Sequence, residues 1–384
     1  MKKRSTIIAA VALYLVSTGA SFATFRYLRT SPITSSAPLP TTAEGELAID
    51  PNAPRNKECP INGKKYTDIE EKAWSRISPL TIMVENHLDS RPQSGLSEAD
   101  VIYEAVAEGG ITRFLAVFYC DVVAKDTLIG PVRSARTYYL DWASEYGKYP
   151  FYVHVGGANT PGPANALGQI QKYGWGGRTG NDINQFSVGF PTFWRDYERL
   201  GRTVATEHTM MTTSAKLWGQ TEKRGWTNKN PDGESWDKTF KEWKFADDAD
   251  DRGSMSNISF DFWEGFKQYD VRWEYDQESN EYKRVNGGES LVDHNTGQQL
   301  TAKNIIIQFT IEKGPIDELK HMLYTTIGKG EAIIFQNGEV VKGTWEKDSR
   351  TARTQFFDKK GKEVKFVRGR IFIEILAKGS DVSY

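Results

Sequence analysis

Short apolar runs separated by polar turns organise the stretch from Thr81 to Arg136. Thr81–Val84 and Val101–Ala105 are brief, while Thr112–Tyr119 is apolar on both faces, the pattern of a strand buried within a sheet. Gly130-Pro131 breaks the pattern, and Val132 to Tyr146 then predicts a helix with Pro131 near its first position. Phe151–Val155 predicts a further buried strand closing on Gly156-Gly157, and Thr213–Lys223 predicts a second helix. Strands alternating with helices point to an α/β sandwich domain over residues 57–225.

Residues 226–255 are charged and turn-rich, which predicts an exposed connection. From 256 to 384 the pattern changes to short alternating strands. The expected ones are Val271–Tyr275, Tyr282–Arg284, Asn304–Phe309, Ala332–Gln336, Val340–Trp345 and Phe372–Leu376. Asn337-Gly338 between apolar runs signals a tight hairpin, and Gly287-Gly288 another turn. The expected fold class is therefore α+β / α/β, an α/β domain followed by a smaller, mostly β domain.

The N-terminus adds an address. Lys2, Lys3 and Arg4 precede an uncharged run from Ser5 to Phe25, apolar mainly from Ile7 to Val16. About 20 residues cross a bilayer as a helix, and the preceding charges would keep the N-terminus cytoplasmic. Residues 1–30 thus read as a signal-anchor helix, with the rest of the chain extracytoplasmic at the cell membrane. The rival reading is a signal peptide cleaved near Ser21-Phe22-Ala23, which would secrete the protein. No cysteine lies near the end of the run, so a lipid-modified cysteine is excluded there. Residues 31–56, rich in Pro, Ser and Thr, read as a disordered tether. The two cysteines, Cys59 and Cys120, form one disulfide in such a compartment or else remain two buried thiols. A formal net charge of -1 gives no signature of nucleic-acid binding.

Candidate chemistry concentrates at the strand ends. Glu85, Asn86, Arg91, Gln93, Asp100, Glu104, Glu108, Arg113, Arg133 and Arg136 crowd there, and buried charges must be paired or put to use. Gly130–Arg136 (GPVRSAR) would aim free helix-start amides at an anion, with Arg133, Ser134, Arg136 and Arg113 around it. The loop carrying Asn86, Arg91, Gln93 and Gly95 extends the same candidate ligand-binding set. Internal pairing of the arginines with Glu85, Glu104 or Glu108 is the competing structural reading. Glu104 and Glu108, close in sequence, are candidate acid and base groups with His208. No two of the five histidines have metal-ligand spacing, and no metal or cofactor is expected. Nucleophile-elbow, phosphate-loop and dinucleotide patterns are also absent from the sequence.

At these residues the chain resembles the YerB family, bacterial envelope proteins often made as lipoproteins and described as a domain of unknown function. The matching stretches are ENH, RPQSGLSEADVIYEAVAEGGITRF, IGPVRSAR and EHTM, then YDVRWEYD, NIIIQF and NGEVVKGTW. The resemblance implies a two-part, extracytoplasmic protein and gives no reaction. Three functions follow in order of expectation. The first is a non-catalytic module binding an anionic cell-wall polymer, envelope ligand or envelope protein. The second is a wall-acting hydrolase or transferase, and the third a structural or assembly protein.

Overall fold

Strands from both halves of the chain join in one mixed sheet of ten. The computed structural model describes residues 13–21, 39–43 and 45–384. From the first half come β1 (Leu80–Glu85), β2 (Val101–Glu108), β3 (Ile111–Phe118), β4 (Phe151–His154) and β5 (Asp182–Asn184). The second half begins with β6 (Asn257–Phe260), β7 (Val271–Asp276) and β8 (Glu281–Asn286), which lie in a separate five-stranded sheet. It then supplies β9 (Asn304–Thr310), β10 (Gly328–Gln336), β11 (Glu339–Lys347), β12 (Gln355–Asp358) and β13 (Ile371–Ala377). The order across the large sheet is β12-β11-β10-β9-β13-β2-β3-β1-β4-β5.

The last strand is the seam. β13 lies parallel to β9 on one side and parallel to β2 on the other, with Glu374 beside Glu104. The two segments expected as separate domains therefore share one sheet, and Thr41–Tyr384 form a single compact unit. Their fold is mixed α+β and rich in sheet. The turn signals act as their chemistry requires. Asn337 and Gly338 both adopt positive φ in the β10–β11 hairpin, the conformation its two-residue turn demands. Gly95 is left-handed too, and a Cβ there would meet the Leu128 carbonyl at 2.6 Å.

Side-chain alternation sorts the faces of the central strands. On one face, Tyr103 of β2 stacks on Trp142 of α1 (Thr137–Ala143), a helix buried almost throughout. On the other, Phe114 of β3 and Phe372 of β13 pack edge to face, and Phe372 meets Trp273 of the five-stranded sheet. A helical layer and a second sheet thus cover opposite faces. Cys59 and Cys120 form a disulfide across 61 residues.

Several expectations are corrected here. The helix after Gly130-Pro131 begins only at Thr137, because Val132–Arg136 is used as extended chain. Val132 N–H donates to Met210 O, Arg133 N–H to Met83 O and Ala135 N–H to Gly156 O. The 226–255 connection is not simply exposed. Trp243 is buried against Phe366 and Phe356, and Lys244–Ala246 pairs in parallel with Lys365–Val367. Its charges hide an aromatic face that packs inward. The described part of the 31–56 tether also touches the body, with Leu47 N–H bonded to Ala124 O. Much of the expected membrane helix lies outside the described residues. Residues 13–21 are helical, and among the described residues no helix is long and apolar enough to cross a membrane.

Candidate functional site

Most of the charged motif turns inward. Asn86 is fully buried and saturated. Its side-chain amide donates to Glu104, Thr112 and Asn286, and its oxygen accepts from Arg91 Nε and Gln93 Nε2. Arg91 also donates to Gln268 O and Asn86 O and lies over the Tyr269 ring. Asn86, Arg91 and Gln93, expected as ligand contacts, are instead the joint between the loop and the C-terminal half. Turn chemistry visible in the sequence does place them, since Arg91 before Pro92 is extended as expected.

Glu104 and Glu108 do not form a catalytic pair. Four positions apart on a regular strand they would share a face, but the register shifts between Val106 and Glu108. Glu104 bonds Thr112, and Glu108 bonds Arg113, the next residue of β3. Consecutive strand residues point to opposite faces, so the two carboxylates lie on opposite sides of the sheet.

Glu104 is completely buried and paired with Arg284 of β8. The other arm of Arg284 reaches Glu374 Oε1 at 2.5 Å, and Trp273 Nε1 donates to the same oxygen at 2.9 Å. All three charged side chains are sealed from solvent. One guanidinium cannot neutralise two buried carboxylates. Burial lifts the Glu374 carboxyl to about 8 despite Arg284, and Glu104 beside it pushes the same way. Glu374 Oε2 has no partner, whereas both oxygens of Glu104 do, so the shared proton belongs on Glu374. The closed network leaves Glu104 no route to a substrate.

On the other face, Glu108 joins two arginines. Arg113 Nη2 donates to Oε1 at 2.7 Å, and Arg136 Nη2 to Oε2 at 2.6 Å. Burial raises this carboxyl, but the two guanidiniums overcome it and hold it at about 2. Arg113 and Arg136 are thereby consumed internally, Arg113 further by Ser134 O and Arg136 by Ala135 O. They were expected to hold a ligand; the pairing with Glu108 is what removes them.

Arg133 and Ser134 remain at a surface. They line a cavity of about 530 Å³ with Arg195, Asn159, Asn184 and Phe186. β1, β4 and β5 run parallel, and the cavity sits where β4 and β5 end, at Gly156-Gly157 and Asn184. The carboxyl ends of parallel strands are where open α/β sheets collect ligands. Asn184 shapes this rim by accepting from Gly156 N–H and Phe186 N–H. Phe186 is 76% exposed and the nearby Phe190 84%, unusual for large apolar side chains on a rim of polar groups. Arg195, Asn159, Asn184 and Phe186 were missed in the sequence. Their only signal was the position of Gly156-Gly157 after an apolar strand.

His208 stands next to this cavity. Glu85 at the end of β1 accepts from Arg133 Nε at 3.0 Å and contacts His208 Nδ1 at 2.9 Å. The Glu85 hydrogen bond raises the His208 pKa against its burial. His87 stacks on His208 with ring centroids 4.6 Å apart, and its pKa is lowered by burial and by His208. His154, by contrast, is a core histidine held between Gly156 O and Asp182. His208 partners Glu85, and no contact links it to Glu104 or Glu108.

These features define a sheet-rich α+β protein with a polar cavity at its strand ends. The N-terminal domain described as "Protein of unknown function (DUF3048)" matches residues 66–227, and the corresponding C-terminal domain matches residues 259–373. The chain belongs to the DUF3048 family. It is 28% identical over 336 residues to the putative lipoprotein YerB of Bacillus subtilis (strain 168), spanning 85% of this chain and 88% of that protein. The crystal structure of YerB protein from Bacillus subtilis matches with a TM-score of 0.68 at 26% identity, over 86% of this chain and all of that one. The family resemblance carried by the arginine-rich motifs is thereby shown.

Proposed function

We propose that the protein is an extracytoplasmic envelope module, tethered at the membrane, that binds an anionic cell-wall or envelope ligand without transforming it. The observation that carries this reading is the cavity at the ends of β4 and β5. It combines two guanidiniums, Arg133 and Arg195, with Ser134, Asn159 and Asn184 beside the exposed Phe186. Guanidiniums suit carboxylate or phosphate groups, amides suit hydroxyls, and an aromatic face suits the apolar side of a sugar ring. The relative named a putative lipoprotein supports the address. In this reading the apolar N-terminal run supplies the attachment, the two cysteines being bonded to each other.

The hydrolase reading loses its acid–base pair, since Glu104 is sealed and Glu108 faces the other way between two arginines. The test is co-sedimentation of the protein with purified sacculi, with mass spectrometry of the supernatant. Binding that falls at least about tenfold in Arg195→Ala, with no released fragments, is the expected outcome. Released fragments would make the protein an enzyme, and undiminished binding by Arg195→Ala would move the ligand elsewhere.

A further inference from the structure

His87, Asp89 and His208 each offer a ligand atom, and these atoms all lie within 4.8 Å of one another. We propose that this cluster binds a divalent transition-metal ion, zinc being the best match to two imidazoles and one carboxylate. His87 Nδ1 and Asp89 Oδ2 are 3.8 Å apart. Around a tetrahedral zinc ion with bonds of about 2.1 Å the ligand atoms stand about 3.4 Å apart, so this gap closes with a shift of a few tenths of an ångström. The His208 ring lies against the His87 ring at 4.6 Å with an interplanar angle of 13°, so binding turns the two rings out of their stack until both lone pairs point at the ion.

A second observation points the same way. His208 Nδ1 is held by the Glu85 carboxylate, which is buried and itself fixed by Arg133. A ring N–H donating to a carboxylate leaves the lone pair on Nε2, the tautomer a metal needs. Metal-bound histidines are oriented in this way by a carboxylate behind them. Glu85 is thus a positioning residue and not a ligand.

The remaining two ligands can adjust. His87 and Asp89 lie on the turn around Leu88–Ser90, and the Asp89 carboxylate is about half exposed. Its pair with Arg202 at 3.6 Å is exposed and of the kind worth little. Binding would replace the Asp89 N–H on His87 Nδ1 and draw the ligands inward by about 1 Å, given the spacing around tetrahedral zinc. Three protein ligands leave a coordination position open. The arrangement was invisible in the sequence, because the ligands come from segments distant in the chain.

The experiment is titration of the full chain with zinc by calorimetry, and with cobalt by absorption spectroscopy. A single saturable site with a tetrahedral cobalt spectrum is expected. Asp89→Asn, on the exposed turn, should weaken zinc binding by about tenfold or more while leaving the metal-free melting temperature unchanged, and His87→Ala should weaken binding as much while also losing its stack on His208 and its bond from Asp89 N–H. No saturable binding, or stoichiometric binding that both variants retain, would overturn the proposal. The readout needs no wall ligand, so it is independent of the binding function proposed above.

Discussion

Two regions of this protein use the same pair of residue types and put them to opposite ends. Arg284 bridges Glu104 and Glu374 with every charged atom sealed from water. Arg133 bridges to Glu85 at the mouth of a cavity, with about a quarter of its side chain exposed. The buried set joins strands from the two halves of the chain and can meet no ligand. The open set leaves Arg133, Ser134 and Arg195 facing a space large enough for one. Pairing alone therefore does not decide whether a charge can meet a ligand; access to solvent does. In the sequence both sets look alike, as polar residues at strand ends.

The buried set should break hardest. Arg284→Met leaves Glu104 and Glu374 without their shared cation. Removing one partner from a buried ion pair costs about 3–5 kcal/mol. Urea unfolding should show that loss as a lower midpoint. A change under about 1 kcal/mol would mean that the two carboxylates are relieved by another route and that the network is not what joins the halves.

The pH dependence sharpens the contrast next. The Glu374 carboxyl is raised from 4.5 to about 8, so the folded protein keeps a proton that the unfolded chain releases. For an acid shifted upward, that contribution is lost as pH rises from the unfolded value through the folded one. Stability should decline between about pH 5 and 8, by up to about 1.4 kcal/mol per unit for one proton. Glu374→Gln keeps the shape and removes the titration, so its melting temperature should vary less over this window. An unchanged slope in the variant would assign the proton to another group.

The fold was legible where periodicity is strong. All three strands expected between Thr81 and Tyr119 are present, as is the Ser214–Lys223 helix, capped by Thr213. The Asn337-Gly338 hairpin also followed from local chemistry alone. The sequence does not place the helix start at Thr137, because Gly-Pro can open a helix or an extended segment, and the contacts to Met83, Met210 and Gly156 that decide between them are nonlocal. The short helix Asp68–Trp74 opens on a capping box formed by Thr67 and Glu70, a signal local to the sequence. The site was less legible than the fold. Arg284 looked like an ordinary residue of an alternating strand, and Arg195 and Asn184 had no motif around them. The bulge after Val106, which separates Glu104 from Glu108, left no turn residue to announce it.

Surface changes at the cavity should have the smallest effect on stability and the largest on binding. The direct test is to measure melting and sacculus binding side by side for Arg195→Ala, Phe186→Ala and Arg284→Met. The account predicts that Phe186→Ala melts within about 0.5 kcal/mol of the parent, that Arg195→Ala costs about 1 kcal/mol through its lost bond to Thr206 O, and that both lose binding, whereas residual folded Arg284→Met binds normally. Cavity variants that bind as well as the parent, or folded Arg284→Met that fails to bind, would contradict the division between a sealed scaffold and an open site.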